Sequence, residues 1–346
     1  MDEEPTASQD LRESASIEAP SSSPAQARKV PVHERACVVG RFIGINAYRI
    51  NRRLLKQRLR EGSYQLHETA HFLLCVRDQA PATIVVHWFA PEEIDANIGY
   101  YFLQELKPLG VLAEPSAFGD LFGAVVFSFV PDAVEQALSL YATNTLQRYR
   151  QRLSLDAVQT TELGWNAPID VFSKLYQRVY ALRTGETFLD AGCSFGFLPL
   201  LLAERFPALR RIVGLDLQTE PFEIVRTIAR ERQLTNVTFA QADLLINDVS
   251  NLGLFDTVTL LHVLEHFTEE EMYCALTHLL RITSQRLIIA VPYEIGEPEV
   301  AYGHEQLFSR PRLEAVGAWC LQQWGGKGRM SYEDCADGLL VLERDL

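Results

Sequence analysis

The stretch Thr187-Phe-Leu-Asp-Ala-Gly-Cys-Ser-Phe-Gly-Phe197 decides the fold of this 346-residue chain. An apolar run leads into an Asp-x-Gly-x-Ser-x-Gly turn, and the apolar residues 198–206 follow as a predicted helix. This order of strand, glycine turn and helix is typical of a nucleotide-type cofactor site. Because Gly192 and Gly196 have no side chain, we expect them to let the backbone approach a ligand closely. Asp190 would repel a phosphate at the strand's end, which favours a cationic cofactor.

A second carboxylate lies where such a site needs one. Residues 211–216, Arg-Ile-Val-Gly-Leu-Asp, are predicted as the next strand, and Asp216 lies about twenty residues beyond Gly196. In mononucleotide-binding βαβ units, the carboxylate at this place accepts hydrogen bonds from ribose hydroxyls. The two carboxylates together are a much stronger signal than either alone.

Further strands are predicted along the second half of the chain. Residues 237–244 form the third and end in Asp243 and Leu244, and residues 255–261 form the fourth. Residues 287–291 form a fifth, and a terminal antiparallel pair follows, with residues 338–343 as one strand. Alternating strands and helices at these intervals require parallel crossovers. The helix before the first strand is predicted over residues 170–183, with Asp170 available as its cap.

The first half of the chain has a different pattern. Residues 1–30 are rich in Ser, Ala, Pro and Glu without periodicity, which predicts a disordered tail. Residues 31–155 are predicted as a smaller α+β accessory domain and residues 156–346 as the cofactor-binding domain. Within the accessory domain, the predicted strands are 37–44, 72–76 and 83–89, and the predicted helices are 91–107 and 131–153. A basic run is predicted as a solvated helix face, with an anionic partner as the alternative: Arg52, Arg53, Lys56, Arg58 and Arg60.

Composition excludes several classes of function. The formal net charge of −13 argues against a nucleic-acid partner, which requires a basic face. No apolar run reaches the length of a membrane span, and the N-terminus lacks the order of a signal peptide, so we expect no membrane partner and a cytoplasmic location. The six cysteines include no Cys-x-x-Cys pair, so neither a zinc site nor a disulfide framework is indicated.

These motifs resemble the class I S-adenosylmethionine-dependent methyltransferases over residues 165–346. The resemblance implies a Rossmann-like α/β fold with a seven-stranded, mostly parallel sheet, and S-adenosyl-L-methionine as the cofactor. It implies that the glycine turn holds the methionine part, that Asp216 binds the ribose and that Asp243 contacts the adenine amine. Ser194 stands where the family usually has its middle glycine. The cofactor-binding residues carried over by position are Asp190, Gly192, Cys193, Ser194, Gly196, Asp216, Leu217, Asp243 and Leu244.

The polar residues after the fourth strand are candidates for catalysis. Methyl transfer from a sulfonium is an in-line displacement that depends on alignment, and a neutral hydroxyl acceptor also benefits from a base. His262, Glu265 and His266 would lie at the carboxyl edge of the sheet, and His304 follows the fifth strand in a predicted loop. Either His266 or His262 is a candidate for the base, and we prefer His266, with Glu265 orienting it. In the alternative interpretation, the cluster caps the next helix and shapes the pocket.

A metal site at the same residues is the less favoured prediction. Some small-RNA methyltransferases of this class hold a divalent metal with a Glu-x-x-Glu-His cluster and a later His. Here His262 replaces the first Glu, while Glu265, His266 and His304 persist. Because the set is poor in carboxylates, we predict no metal.

A narrower resemblance concerns the acceptor. Residues 190–203, 261–267, 290–294 and 301–304 resemble the mycofactocin oligosaccharide methyltransferases, and residues 86–95 resemble their accessory region. The resemblance implies an O-methyltransferase that acts on a sugar hydroxyl of an oligosaccharide. The alternatives are a methyltransferase for another small-molecule hydroxyl and an inactive cofactor-binding scaffold protein. A dehydrogenase is disfavoured, since its phosphate-binding turn would not begin with Asp190.

Overall fold

The computed structural model describes residues 36–78, 80–154, 167–246, 249–335 and 337–345. The predicted tail over residues 1–30 lies outside the described residues. No helix in the described part of the chain combines the length and the apolar character that crossing a membrane requires.

Two sheets occupy the described residues. The N-terminal sheet contains β1 (Ala36–Val39), β2 (Phe42–Asn46), β3 (Gln65–Glu68), β4 (Phe72–Val76) and β5 (Thr83–His87). The second sheet contains β6 (Thr187–Ala191), β7 (Arg211–Asp216), β8 (Val237–Gln241), β9 (Phe255–Leu261), β10 (Thr283–Val291), β11 (Gly328–Cys335) and β12 (Asp337–Arg344). The α-helices are α1 (Arg52–Glu61), α2 (Ile98–Tyr101), α3 (Pro115–Phe127), α4 (Val134–Leu153), α5 (Pro168–Leu182), α6 (Phe197–Arg205), α7 (Phe222–Glu231), α8 (Glu269–Ile282) and α9 (Arg310–Gln323).

The second sheet has the order β11-β12-β10-β9-β6-β7-β8. Neighbours from β10 through β9, β6 and β7 to β8 are parallel, and β12 is antiparallel to both β10 and β11. The observed sheet therefore agrees with the predicted seven-stranded, mostly parallel sheet. The strand order changes direction around β6 and β9, and ligands of open α/β sheets bind at such a switch point.

Both faces of this sheet are covered. Along β10, Ile288 and Ala290 join the core that contains α5, α6 and α7, whereas Leu287, Ile289 and Val291 join the core that contains α8 and α9. Alternate residues of a strand point to opposite faces, so the apolar run of β10 is buried on both sides.

The N-terminal sheet has the order β1-β2-β5-β4-β3, with β2 and β5 parallel and the other neighbours antiparallel. The single strand predicted over residues 37–44 was wrong, because β1 and β2 form a hairpin there. Gly40 adopts a φ of +51° at the turn, a left-handed conformation that favours glycine. The basic run forms α1, in which Lys56 pairs with Glu68 and Arg52 lies over the Trp88 ring.

Two predicted helices have different bounds in the structure. The helix predicted over residues 91–107 is broken: a 3₁₀ turn spans Pro91–Glu93, and α2 then continues as a π-helical segment, Phe102–Leu106. The break lies at Asp95, whose side chain accepts the Asn97 N–H at 2.9 Å and so competes with helical hydrogen bonding. The helix predicted over residues 131–153 is α4, which begins at Val134 rather than at residue 131.

The prediction that Asp170 caps its helix was also wrong. Helix α5 begins at Pro168, which suits the first position of a helix because it needs no N–H there. Asp170 therefore lies within the first turn, where it is fully buried and pairs with Arg152 of α4 at 3.1 Å.

Helix α4 joins the N-terminal sheet to the second sheet. Arg150 makes two hydrogen bonds to Glu204 of α6, at 2.8 and 2.9 Å, and Tyr149 packs against the ring of Phe197. One hydrophobic core includes the N-terminal sheet, α3, α4 and the helices α5 to α7. The two sheets are thus parts of one packed unit.

The close contact of β2 with α3 provides a stability test. A Cβ added to Gly44 would lie 1.8 Å from the carbonyl oxygen of Ala124. We expect Gly44→Ala to lower the free energy of unfolding by at least about 2 kcal/mol, because the two backbones would have to separate. Gly119→Ala is the matched control within α3, since open space surrounds its Cβ, and it should raise stability by up to about 1 kcal/mol. Urea unfolding measures both variants, and equal stabilities would contradict this packing.

Candidate active site

The glycine turn between β6 and α6 is held by the neighbouring strand. The N–H groups of Gly192 and Cys193 both donate to the Leu215 carbonyl of β7 at 2.8 Å. Gly192, Ser194 and Gly196 adopt φ values of +75°, +49° and +70°. Ser194 therefore occupies a left-handed conformation that normally favours glycine, which explains the family's usual middle glycine and makes Ser194 a locally strained residue.

Packing within the protein gives both glycines of the turn a further reason. A Cβ added to Gly192 would lie 2.3 Å from Val263, and a Cβ added to Gly196 would lie 2.3 Å from the Phe239 ring. Both positions therefore require glycine because of their φ and of packing within the protein. Cys193 is a buried packing residue, and burial raises the pKa of its thiol well above the ordinary value.

Asp190 is held inside the sheet. Its Oδ1 accepts a hydrogen bond from the Thr259 hydroxyl of β9 at 2.7 Å, and Asp190 is 4% exposed. Burial raises the pKa of Asp190 to about 7; the Thr259 hydrogen bond opposes this shift and the charge of Asp216 adds to it. The structure thus holds Asp190 between β6 and β9.

Asp216, the last residue of β7, is hydrogen-bonded to the glycine turn. Its two carboxylate oxygens accept the N–H of Ser194 at 2.6 Å and the N–H of Gln218 at 2.9 Å. Each oxygen has a second lone pair, so the carboxylate can still accept ligand hydroxyls. Leu217, the next residue, is 59% exposed and lies beside the same opening.

Asp243 and Leu244 lie two and three residues beyond the end of β8, so the predicted third strand was too long. Asp243 accepts the Leu245 N–H at 2.8 Å, a local hydrogen bond that ends the strand. Leu244 is buried, and its carbonyl accepts a hydrogen bond from His278 of α8 at 2.8 Å.

The cofactor fits this set of groups. Asp190, Asp216 and Asp243 follow or end three parallel strands at one edge of the sheet, and they present carboxylates where a pyrophosphate would be repelled. A sulfonium cofactor with a free ribose diol suits carboxylate acceptors. S-adenosyl-L-methionine therefore agrees with the chemistry of the site.

His262 lies at the end of β9 in a strained conformation. Its N–H donates to the Ala290 carbonyl at 2.9 Å and its φ is +54°. The Nε2 of the ring lies 2.8 Å from Asp337 of β12, and the ring packs against Phe172 at 4.9 Å. Burial alone would lower the pKa of His262, but the hydrogen bond and the charge of Asp337 outweigh it and raise the pKa.

Glu265 is buried beneath the two remaining histidines. It is 1% exposed, and neither carboxylate oxygen receives a hydrogen bond from the described residues. Burial raises the pKa of Glu265 to about 7, and the nearby His262, 3.7 Å away, opposes the shift. A buried carboxylate without donors costs free energy, which makes Glu265 a candidate for a role beyond packing.

His266 and His304 face each other, with ring centroids 4.9 Å apart. His266 is exposed, and its Nδ1 donates to the Gly303 carbonyl at 3.2 Å, which leaves Nε2 as the acceptor of the neutral ring. Burial and the neighbouring His304 lower the pKa of His266. His304 donates from Nδ1 to Glu294 at 2.8 Å, and burial lowers its pKa against the opposing charge of Glu294.

The structure thus brings the four predicted catalytic residues to one edge of the sheet. Glu265, His266 and His304 each place one potential ligand atom within 4.8 Å of the others, so the cluster is able to hold a divalent metal. The partners of the histidines were missed. Glu294 lies within residues 290–294, which were part of the resemblance, but no role was predicted for it. Asp337 could not be predicted from local sequence, because it lies 75 residues from His262 along the chain.

Residues 188–286 match the protein family described as "Methyltransferase domain". The chain is 34% identical over 82 residues to the ubiquinone biosynthesis O-methyltransferase of Vibrio campbellii, which covers 24% of this chain and 33% of that protein. It is 26% identical over 92 residues to N-methyltransferase 4 of Papaver somniferum, which covers 27% and 26% of the two chains. The chain therefore spans about a third or less of the length of these curated relatives.

Among solved structures, the chain is similar to magnesium protoporphyrin IX methyltransferase from Synechocystis with bound SAM. The identity is 20%, the TM-score is 0.38, and the superposition covers 61% of this chain and 97% of that chain.

The matched residues run from β6 to the first residues of β10 and so include the glycine turn, all three carboxylates and the first three catalytic candidates. Residues 188–286 therefore match a methyltransferase domain, and S-adenosyl-L-methionine is the cofactor that this match supports.

Proposed function

We propose that this protein is an O-methyltransferase that transfers a methyl group to a sugar hydroxyl of a mycofactocin-type oligosaccharide. The observation that carries the transfer chemistry is His266, an exposed neutral imidazole whose Nδ1 is fixed by Gly303. An imidazole oriented in this way offers Nε2 to a hydroxyl proton. The sugar acceptor is supported by the resemblance to the mycofactocin oligosaccharide methyltransferases, which lies in residues 190–203, 261–267, 290–294 and 301–304.

In this proposal, each of the residues at the carboxyl edge of the second sheet has one role. S-adenosyl-L-methionine supplies an electrophilic methyl group when it is bound. Asp216 binds the ribose diol, while Asp243 and the backbone of Leu244 contact the adenine. His266 accepts the proton of the acceptor hydroxyl as its oxygen attacks, and Glu265 beside it stabilises the resulting imidazolium. His262 and His304 position this pair through Asp337 and Glu294.

A second mechanism is favoured by the cluster's geometry. Glu265, His266 and His304 could hold a divalent metal, and both imidazoles donate their Nδ1–H to an oxygen, as metal-bound histidines commonly do. The metal would supply Lewis acidity to the acceptor oxygen. We rank this mechanism second, because the cluster contains one carboxylate, and hard divalent ions such as Mg²⁺ prefer several oxygen ligands.

Replacement of Asp216 tests the cofactor assignment. We expect Asp216→Ala to weaken S-adenosylmethionine binding by roughly 1–3 kcal/mol, because a carboxylate that accepts ribose hydroxyls and the Ser194 N–H is lost. Glu220→Ala removes an exposed carboxylate four residues later and should leave the affinity unchanged. Titration calorimetry measures both. An unchanged affinity in a folded Asp216→Ala variant would remove Asp216 from the cofactor site.

Single-turnover kinetics test the base. At saturating cofactor, we expect His266→Ala to slow methyl transfer about a hundredfold or more, since general-base assistance typically contributes roughly 10²–10⁴. Cofactor affinity should hardly change, and His67→Ala on the exposed strand β3 serves as the control. Because a lowered pKa keeps His266 neutral near pH 7, the wild-type rate should fall only as the pH drops below about 6.5.

Two outcomes would contradict the assignment of His266 as the base. Near-normal rates in His262→Ala, His266→Ala and His304→Ala would make the cluster structural, with solvent accepting the proton. Cofactor binding without turnover in the wild type, tested against cell extracts and glucose oligosaccharides, would identify an inactive scaffold protein.

Metal removal tests the ranking of the two mechanisms. We expect dialysis against EDTA to leave turnover intact, since His266 acts as a base without a metal. Loss of activity that returns with Mn²⁺, Co²⁺ or Zn²⁺ would assign Glu265, His266 and His304 to a metal instead. Glu265→Gln is the matched variant, because it should then abolish the metal response.

A further inference from the structure

The N-terminal half contains a cavity that the proposed chemistry does not use. It has a volume of about 500 Å³, within the range of small-molecule sites, and lies between the segment after β5, the end of α4 and the start of α5. Its charged groups are Glu93, Asp95, Arg148 and Arg152, so the two carboxylates balance the two guanidinium groups.

One polar group of this cavity is deeply buried. Asp95 is 4% exposed, accepts the Asn97 N–H at 2.9 Å and pairs with Arg148 at 3.3 Å. Arg148 is itself 47% exposed at its side chain and extends into the opening. A buried charge that is only partly compensated costs free energy, which indicates a role beyond packing.

Aromatic rings form another wall. The ring of His71 stacks on Phe89 at 5.2 Å and 9°, and Tyr101 lies 4.2 Å from the same imidazole. His71 is oriented by Glu105, 2.5 Å away. Tyr101 is partly exposed, so the cavity offers an amphipathic ring beside its charged groups.

This combination favours a neutral, polyhydroxylated ligand. Sugar hydroxyls donate to carboxylates and accept from guanidinium groups, whereas the C–H face of a sugar ring packs on an aromatic side chain. A phosphate would be repelled by Glu93 and Asp95, and an apolar ligand would remove the exposed Glu93 and Arg148 from water without offering them hydrogen bonds.

The cavity is connected to the catalytic edge. Ile169 lines it and donates its backbone N–H to Asn97 at 3.0 Å, and Phe172, one turn further along α5, contacts His262. On the other side, a Cβ added to Gly99 would lie 3.2 Å from the Tyr302 hydroxyl, and Tyr302 belongs to the segment that carries His304. Residues next to the cavity lining therefore contact His262 and the segment that carries His304.

We infer that this cavity is a subsite that binds a sugar unit of the acceptor distant from the hydroxyl that is methylated. The inference rests on the proposed function and extends it, because it assigns acceptor recognition to the N-terminal half. Glu93 and Arg148 are positioning residues in this subsite, since they bind the acceptor away from the reacting oxygen.

The test uses the full chain with S-adenosylhomocysteine bound and cellotetraose or maltotetraose as the probe, with titration calorimetry as the readout. We expect one of these oligosaccharides to bind and Glu93→Gln to weaken it about tenfold, the effect of losing one charge-assisted hydrogen bond. Glu93→Gln keeps an oxygen for the Ala90 N–H at the start of its 3₁₀ turn, so the fold should persist. Glu92→Gln, the exposed neighbour, is the control and should bind normally.

Arg148→Ala provides the second variant, with Gln147→Ala as its neighbour on α4. Unchanged melting temperature and S-adenosylhomocysteine affinity would exclude a folding defect in either. The inference is overturned if neither oligosaccharide binds, if both pocket variants bind as tightly as their controls, or if inorganic pyrophosphate binds in an Arg148-dependent manner while the sugars do not.

Different results would reject the proposed function and the subsite. Oligosaccharide binding that depends on Glu93, without methyl transfer to either probe or to sugars of a cell extract, would retain the subsite and reject the sugar methyltransferase. Methyl transfer with the same KM in wild type and Glu93→Gln would retain the methyltransferase and reject the subsite. If both hold, Glu93→Gln should raise KM about tenfold with little change in kcat.

Discussion

The parallel alignment of β6 with β9 is the constraint on which the site depends. It places Asp190 opposite Thr259, and the hydroxyl of Thr259 donates to the carboxylate at 2.7 Å. Since parallel strands end at the same edge, this pair fixes the glycine turn after β6 next to the polar segment after β9. The cofactor half and the acceptor half of the site therefore have one common origin in the sheet, and helices on either face only support it.

The periodicity of the sequence predicted the central strands of the second sheet well because β6, β7, β9 and β10 are buried on both faces over most of their length. Each appears as an apolar run bounded by polar or glycine residues, as residues 211–216 show, and its end is where the functional groups lie. The N-terminal half was harder to predict. Its hairpin at Gly40 interrupts a run with continuous β-propensity, and the break at Asp95 depends on one side-chain hydrogen bond. Asp170 seemed to be a cap because the contact with Arg152, which buries it, joins residues from two helices.

The candidate site was predictable to a different degree in each part. Asp216 and His266 could be identified from their position after a strand, because the topology alone places such residues at the edge. The topology does not determine which side chains contact these residues and fix their orientation. The partner of His262 comes from the last strand, and Val263 and Phe239 fill the space that side chains at Gly192 and Gly196 would need. These are tertiary contacts between distant segments, for which a single sequence carries no local signal.

The shared core around α4 has a consequence for how the molecule responds to its ligands. Because Arg150 and Tyr149 contact α6 while Tyr141 of the same helix packs on Phe122 of α3, which covers the N-terminal sheet, the two halves share one buried apolar core. Such an arrangement opens and closes as a single cooperative unit in hydrogen exchange. We therefore expect a ligand bound at one sheet to slow amide exchange in the other without any change of shape. If donor and acceptor bind at the two sheets as proposed, their binding is coupled through this shared rigidity.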